Sequence, residues 1–247
     1  MTGVAGRPSP VESFDPLPVL RDGELDLIGR LVDASNATFY CAATLDGVEL
    51  ECVYKPVKGE RGLWDFPTGT LAAREVAAYA VSEATGWQVV PPTVLRADGP
   101  FGRGMCQLWI DVDESVDLVE LVHSDAGPLR RMAVFDAVVN NADRKGGHLL
   151  PLPDGHIHGV DHGVCFSVED KLRTVLWNWA GDPLPEEACG MLDRLAAELR
   201  DGLGRALGEL LAEEEVAATR ARVGRLLGTG RFPEPTGDWH AVPWPPF

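Results

Sequence analysis

The stretch Asn141-Ala142-Asp143-Arg144-Lys145-Gly146-Gly147-His148, followed thirteen residues later by Asp161-His162-Gly163, decides the reading of this chain. Upstream, Leu129, Met132, Phe135, Val138 and Val139 recur at helical spacing. A helix therefore runs into Asn140-Asn141 and delivers Asp143 just past its end. Downstream, residues 149–152 and 156–160 flank Pro153-Asp154-Gly155 and predict a short hairpin. Asp161 follows its second strand. Two carboxylates placed this way, one behind a helix and one behind a strand, suit the holding of metal and phosphate while a hydroxyl is oriented for attack.

Working toward the N-terminus, three short apolar, β-branched runs cover 25–32, 38–44 and 48–54, separated by Asp33-Ala34-Ser35-Asn36 and by Asp46-Gly47. Asp-Gly between such runs is a strong hairpin signal. Three antiparallel strands are expected, with Lys55 closing the third in Val53-Tyr54-Lys55-Pro56. Residues 56–69, with two prolines, three glycines and Trp64, read as an irregular loop. Thr70 to Thr85 reads as an alanine-rich helix with Thr70 as its cap and Gly86 as its stop; Glu75 lies within it. Residues 88–95 and 104–112 supply two further strands, the first interrupted by Pro91-Pro92.

The second half is mainly helical. Leu192, Leu195, Leu199, Leu203, Leu207 and Leu210 form an apolar stripe, and a further helix runs from about Glu213, where three glutamates favour its positive end, to Leu227. The organisation that follows is a loose N-terminus over 1–16, a β-rich lobe over 17–113, a helical lobe over 114–230 and a Pro/Trp-rich tail over 231–247. That tail either packs on the helical lobe or meets a partner.

The bulk composition narrows the function. Of 247 residues, 22 are Lys or Arg and 38 Asp or Glu, a net charge of −16, which disfavours nucleic acid and anionic membranes as partners. Five cysteines without a C-x-x-C pair read as reduced thiols of a cytoplasmic protein. No signal peptide and no membrane-length apolar run is seen, so stable membrane insertion is not expected.

Transfer of a γ-phosphoryl group is chiefly positioning and charge neutralisation. It asks for a lysine on a strand to hold the α/β-phosphates and a helix carboxylate to hold that lysine. It also asks for an Asp to orient the hydroxyl and a second Asp, with one more ligand, for the metal. Lys55, Glu75, Asp143, His148 and Asp161 supply these parts in chain order.

These motifs resemble the protein-kinase-like superfamily, specifically its phosphatidylinositol 3/4-kinase branch, with the type II phosphatidylinositol 4-kinases nearest. They are also similar to a group of actinobacterial proteins placed near those kinases. The family's N-x-D-R-x-x-x-N loop and I-D-[NH]-G motif are matched by 141–148 and by Val160-Asp161-His162-Gly163. Val53-Tyr54-Lys55-Pro56, Arg74-Glu75, Val90-Pro91-Pro92-Thr93 and Trp177-Asn178-Trp179 also resemble it, over roughly residues 25–180. The resemblance implies a two-lobed α+β kinase-like fold with ATP between the lobes, adenine lying against 104–112. It implies Asp143 as the catalytic Asp, Lys55 as the ATP lysine, Glu75 as its partner and Asp161 as the metal ligand, with Mg²⁺ or Mn²⁺.

Two departures stand out. His148 replaces the family's Asn, and Mg²⁺ prefers oxygen over imidazole. The phosphate loop offers Ser35-Asn36-Ala37-Thr38 in place of glycines, so its backbone N–H groups and the Ser35 and Thr38 hydroxyls are the donors expected for ATP. Arg144 and Lys145 are expected to steady the transferred phosphate. The acceptor reads as an alcohol, a small molecule or protein side chain before a lipid, because no basic amphipathic helix or acylation signal accompanies the motifs. A lipid kinase and a nucleotide-binding pseudokinase scaffold are the alternatives. His148, His156, His158 and His162 also raise a zinc hydrolase, although no cysteine pair or His-Glu-x-x-His accompanies them.

Overall fold

The computed structural model describes residues 14–31, 36–237 and 240–247. Ser35 and the first part of the phosphate loop lie outside the described residues. The chain enters through α1 (Leu17–Asp22) and forms β1 (Glu24–Arg30), β2 (Phe39–Leu45) and β3 (Val48–Pro56). Asp46 and Gly47 turn the β2–β3 hairpin with φ of 51° and 80°, the conformation that Asp-Gly adopts most easily. After the loop comes α2 (Leu71–Thr85), then β4 (Thr93–Arg96) and β5 (Gly104–Leu108). The sheet order is β1-β2-β3-β5-β4, antiparallel throughout.

Alternation along β3 aims the lysine. Cys52 and Tyr54 face inward and bury in a small core with Val19, Leu20, Cys41, Val94 and Cys106. Lys55, between Tyr54 and Pro56, therefore leaves the opposite face of the sheet.

The helical half holds α3 (Leu118–Val122), α4 (Gly127–Val139), the hairpin of β6 (Leu149–Pro151) and β7 (Ile157–Gly159), then α5 (Glu186–Glu198), α6 (Gly202–Gly208) and α7 (Glu213–Thr229). Its core joins Leu129, Met132, Phe135 and Val138 of α4 to Leu192 and Leu195 of α5 and to Val223 and Leu226 of α7. The leucine stripe is divided: the chain turns between α5 and α6, where Gly204 lies against the Leu199 carbonyl and Arg220 Nε donates to that carbonyl at 2.8 Å. The stripe is nonetheless buried on both sides of the turn.

α2 departs from its expected construction in two ways. Thr70 does not cap it; the Thr70 hydroxyl donates to Pro67 O, and Glu60 accepts from the N–H groups of Leu71 and Ala72 instead. Its buried Ala77, Ala78 and Val81 belong to the large core of the helical half and not to the small core under the sheet. The molecule is a two-lobed kinase-like fold, with α2 packed across the junction. Among the described residues no helix is long and apolar enough to cross a membrane.

Candidate active site

Three distant residues converge at the junction. Lys55 Nζ donates to Glu75 Oε1 at 2.6 Å and to Asp161 Oδ1 at 2.8 Å. β3 supplies the lysine, α2 the glutamate, and the turn after β7 the aspartate. The second oxygen of Glu75 accepts the His162 backbone N–H at 3.0 Å, which fixes the following turn to α2. The Glu75 side chain is 3% exposed and that of Asp161 48%, so the first is a buried brace and the second faces the cleft.

Charge explains the protonation states. Burial alone would drag the Lys55 pKa down, but the carboxylates of Asp161 and Glu75 reverse this and hold it above the ordinary lysine value. The Lys55 cation in turn holds the Asp161 carboxyl well below the usual carboxylate range, against the opposing effect of burial. Asp161 sits at φ 62°, the left-handed region that aspartate tolerates better than most side chains.

The carboxylate of Asp143 pairs with Lys145 Nζ at 3.2 Å, and its backbone N–H donates to Asn141 Oδ1 at 3.0 Å. His148 Nε2 lies 3.5 Å from Asp161 Oδ2. Burial lowers the His148 pKa, with Asp161 pulling the other way. The His148 Nδ1 accepts the Lys145 N–H at 3.5 Å, so in the neutral ring Nε2 carries the proton toward Asp161, and a metal at Nε2 would require the other tautomer and the loss of that contact. Among the described residues no group of three or more His, Cys, Asp or Glu side chains is arranged to hold a metal by itself. A carboxylate and a neutral imidazole side by side still fit a divalent ion that draws its remaining ligands from phosphates and water. His156 and His158 stack edge to face with centroids 4.5 Å apart, away from this pair, and His156 Nε2 is engaged with Gln88 O.

Two expectations need correction. Arg144 cannot steady a phosphate. Its side chain is fully buried, with Nε and Nη2 on the two oxygens of Asp136 at 2.9 and 2.8 Å, Nη1 on Val160 O, and Nη2 against His162 Nε2. It is the inner brace of the loop that carries Asp143. Gly159 makes room for it, since a side chain there would meet the guanidinium. Thr38 also fails as a phosphate donor: it is buried and its hydroxyl turns to Asn36 O at 3.3 Å. The Ala37 N–H donates to Gly59 O, and Asn36 spends its side-chain oxygen on the Arg61 N–H, so these residues tie the loop to 59–61.

Sequence reasoning missed Asp136, although a lone carboxylate inside the apolar run Val134-Phe135-Asp136-Ala137-Val138 was a signal. It named Arg74 only as part of Arg74-Glu75 and did not foresee its role: it is buried, donates to Cys165 O at 2.7 Å and forms an ion pair with Glu215 of α7. The tail was not placed. Its last described segment lies along the helical half: Arg173 Nε donates to His240 O, the Thr174 N–H and Trp177 Nε1 both donate to Ala241 O, and the Gly146 N–H donates to Pro246 O at 2.8 Å. Gly146 has no room for a Cβ because the Phe247 ring packs on it.

No family model matches the chain. A solved structure of a Helicobacter pylori proinflammatory kinase, CtkA, superposes with a TM-score of 0.50 at 10% identity, covering 85% of this chain and 95% of that one. A phosphatidylinositol 4-kinase, gamma 4, of Oryza sativa subsp. japonica is 24% identical over 78% of this chain, which spans 43% of the plant protein. Protein Rv2133c of Mycobacterium tuberculosis is 46% identical over 93% of this chain and 94% of its own length. With a kinase-like fold and this degree of identity, the chain belongs to the family of the mycobacterial Protein Rv2133c.

Proposed function

We propose that this chain is an ATP-dependent phosphotransferase that moves the γ-phosphoryl group to an alcohol. The observation that carries the proposal is the meeting of Lys55 with Glu75 and Asp161 at 2.6 and 2.8 Å, across sequence separations of 20 and 106 residues. A lone lysine needs no such construction. A lysine braced by a buried carboxylate and facing a half-exposed one is suited to a polyphosphate.

In this reading Lys55 binds the α/β-phosphates and Glu75 keeps its ammonium aimed. A phosphate oxygen that accepted the Lys55 hydrogen bond now made to Asp161 Oδ1 would leave that carboxylate oxygen unengaged. Asp161 and His148 would hold the ion, which supplies charge neutralisation at the phosphates. Asp143 orients the acceptor hydroxyl and accepts its proton; the Lys145 ammonium beside it balances charge as phosphate is transferred. Arg144 acts only through Asp136, by holding the loop in shape. ATP and Mg²⁺ or Mn²⁺ are the cofactors of this proposal.

The acceptor is taken to be a soluble small molecule or a protein side chain. The acidic chain, at −16, favours this over an anionic lipid surface. The similarity to a plant phosphatidylinositol 4-kinase supports the lipid alternative, and phosphatidylinositol vesicles belong in the first substrate panel.

The test is thermal unfolding with ATP and either metal. Wild type is expected to gain stability with nucleotide, and Lys55→Ala and Asp161→Ala to lose most of that gain. Full retention of the shift in both variants would remove the site. Asp143→Ala is expected to keep nucleotide binding while turnover falls by about 10²–10⁴-fold. Nucleotide binding without turnover in wild type, across acceptor panels, would favour the pseudokinase scaffold.

A further inference from the structure

A cavity of about 510 Å³ opens in the helical half, between α4, α7 and the chain that follows α7. That volume is in the range of small-molecule sites, commonly ~300–1,000 Å³. Its lining is unlike the rest of this acidic molecule. Arg222, Arg225 and Arg231 face it, against the carboxylates of Asp170 and Glu234. Trp177, Leu226 and Phe232 provide apolar walls.

The three guanidiniums are not equally satisfied. Arg225 pairs with both oxygens of Asp170 at 2.8 and 2.9 Å. Arg231 donates one bond, Nη1 to Gly181 O at 2.7 Å, and has no carboxylate at ion-pair distance among the described residues. Arg222 is buried and bonded only to neutral oxygens: Val138 O, Ser167 O and the Thr219 hydroxyl. Burial pushes its pKa down to about 10, with Asp170 pulling back and the Arg225 cation adding to the fall, so the nearby carboxylate does not fully offset the buried charge. A guanidinium has five N–H donors, and three of those on Arg222 are engaged. Burying a cation without an anion is costly unless something supplies the missing charge.

We propose that this cavity is a binding site for a small organic oxyanion carried on a flat apolar body, with Arg231 and Arg222 taking the anion and Trp177, Leu226 and Phe232 the body. Arginine forks match phosphate and carboxylate oxygens in pairs. The aromatic walls distinguish an aryl or similarly flat ester from the bare anion. Arg222 Nη1 and Asn140 Nδ2 both donate to Ser167 O, which fixes α7 against the end of α4 at the cavity wall.

Phenyl phosphate is the probe, with inorganic phosphate and phenol as its halves, each titrated calorimetrically into the full chain. Phenyl phosphate is expected to bind at least about tenfold more tightly than either half. Arg231→Gln should weaken it about tenfold or more, one charge-assisted bond being of that size. Arg231 is exposed, so an unchanged melting temperature serves to show that this variant folds. Lys55→Ala should leave phenyl phosphate binding unchanged. Absence of binding at millimolar probe overturns the proposal. So does binding that survives Arg231→Gln but fails in Lys55→Ala, which would put the anion in the nucleotide cleft. These readouts need no catalysis and remain decisive if the phosphotransfer reading fails.

Discussion

Arg144 and Asp136 are both fully buried, and each is the other's only charge partner at bonding distance among the described residues. Removing one strands the other in a low-dielectric interior, which costs more than the pair is worth. Asp136→Ala and Arg144→Met are each expected to lower unfolding free energy by about 3–5 kcal/mol in urea titrations. Replacing both should cost less than either alone. A catalytic arginine would behave differently, losing turnover with little loss of stability. At this scale the sequence was informative where chemistry requires a residue type in a motif. Lys55, Glu75 and Asp161 were found that way, and the structure brings them into contact. It was silent where the same residue type serves burial: the Arg144 that follows Asp143 reads identically whether it faces phosphate or Asp136.

Among the elements, α2 begins on a borrowed cap. Because Glu60 accepts from the Leu71 and Ala72 N–H groups, Glu60→Ala should cost about 1 kcal/mol, whereas Thr70→Val should cost less through that helix end. Comparison of the two by thermal melts decides between the caps. The loop that carries Asp143 depends on the tail in the same way. Gly146→Ala has no room beside Phe247 and should lift the tail, costing about 1–3 kcal/mol. Hydrogen exchange would show it: the Gly146 and Thr174 amides, which donate to the tail, should exchange faster in the variant. The first three strands and α2 were legible because Asp46-Gly47 and Gly86 punctuate clear periodicity, whereas α1 was not read and the strands expected over 88–95 and 104–112 are shorter, at Thr93–Arg96 and Gly104–Leu108. The long-range caps were not, since Glu60 to Leu71 and Gly146 to Pro246 are contacts between segments that carry no local pattern. The division between α5 and α6 was hidden by a leucine spacing that continues through the turn.

For the whole molecule, acid is a sensitive variable. Burial, followed by the neighbouring His156, lowers the His158 pKa below the ordinary histidine value. The unfolded chain therefore binds the extra proton first as pH falls through about 6.5, and stability is lost downward from there. The slope from this one residue is at most about 1.4 kcal/mol per pH unit. Chemical unfolding at pH 7.5 and 5.5 should show it, and His158→Gln should reduce the difference without abolishing it, since burial lowers His148 and His162 in the same direction. The two halves are also joined by Arg74, whose guanidinium runs from α2 to the Cys165 carbonyl and to Glu215 of α7. Arg74→Met should destabilise by about 3 kcal/mol or more, in a single transition rather than two. Arg74 precedes Glu75, so the residue that anchors this helix to the opposite half adjoins the one that aims Lys55. Elsewhere, swinging such a helix outward is a way of disconnecting the lysine. Here that swing would have to tear a buried cation from Cys165 and Glu215, which weights the balance toward the engaged arrangement. If the chain is the phosphotransferase proposed, a throttle on such an engine would meet less resistance at what enters the cleft than at whether its parts meet.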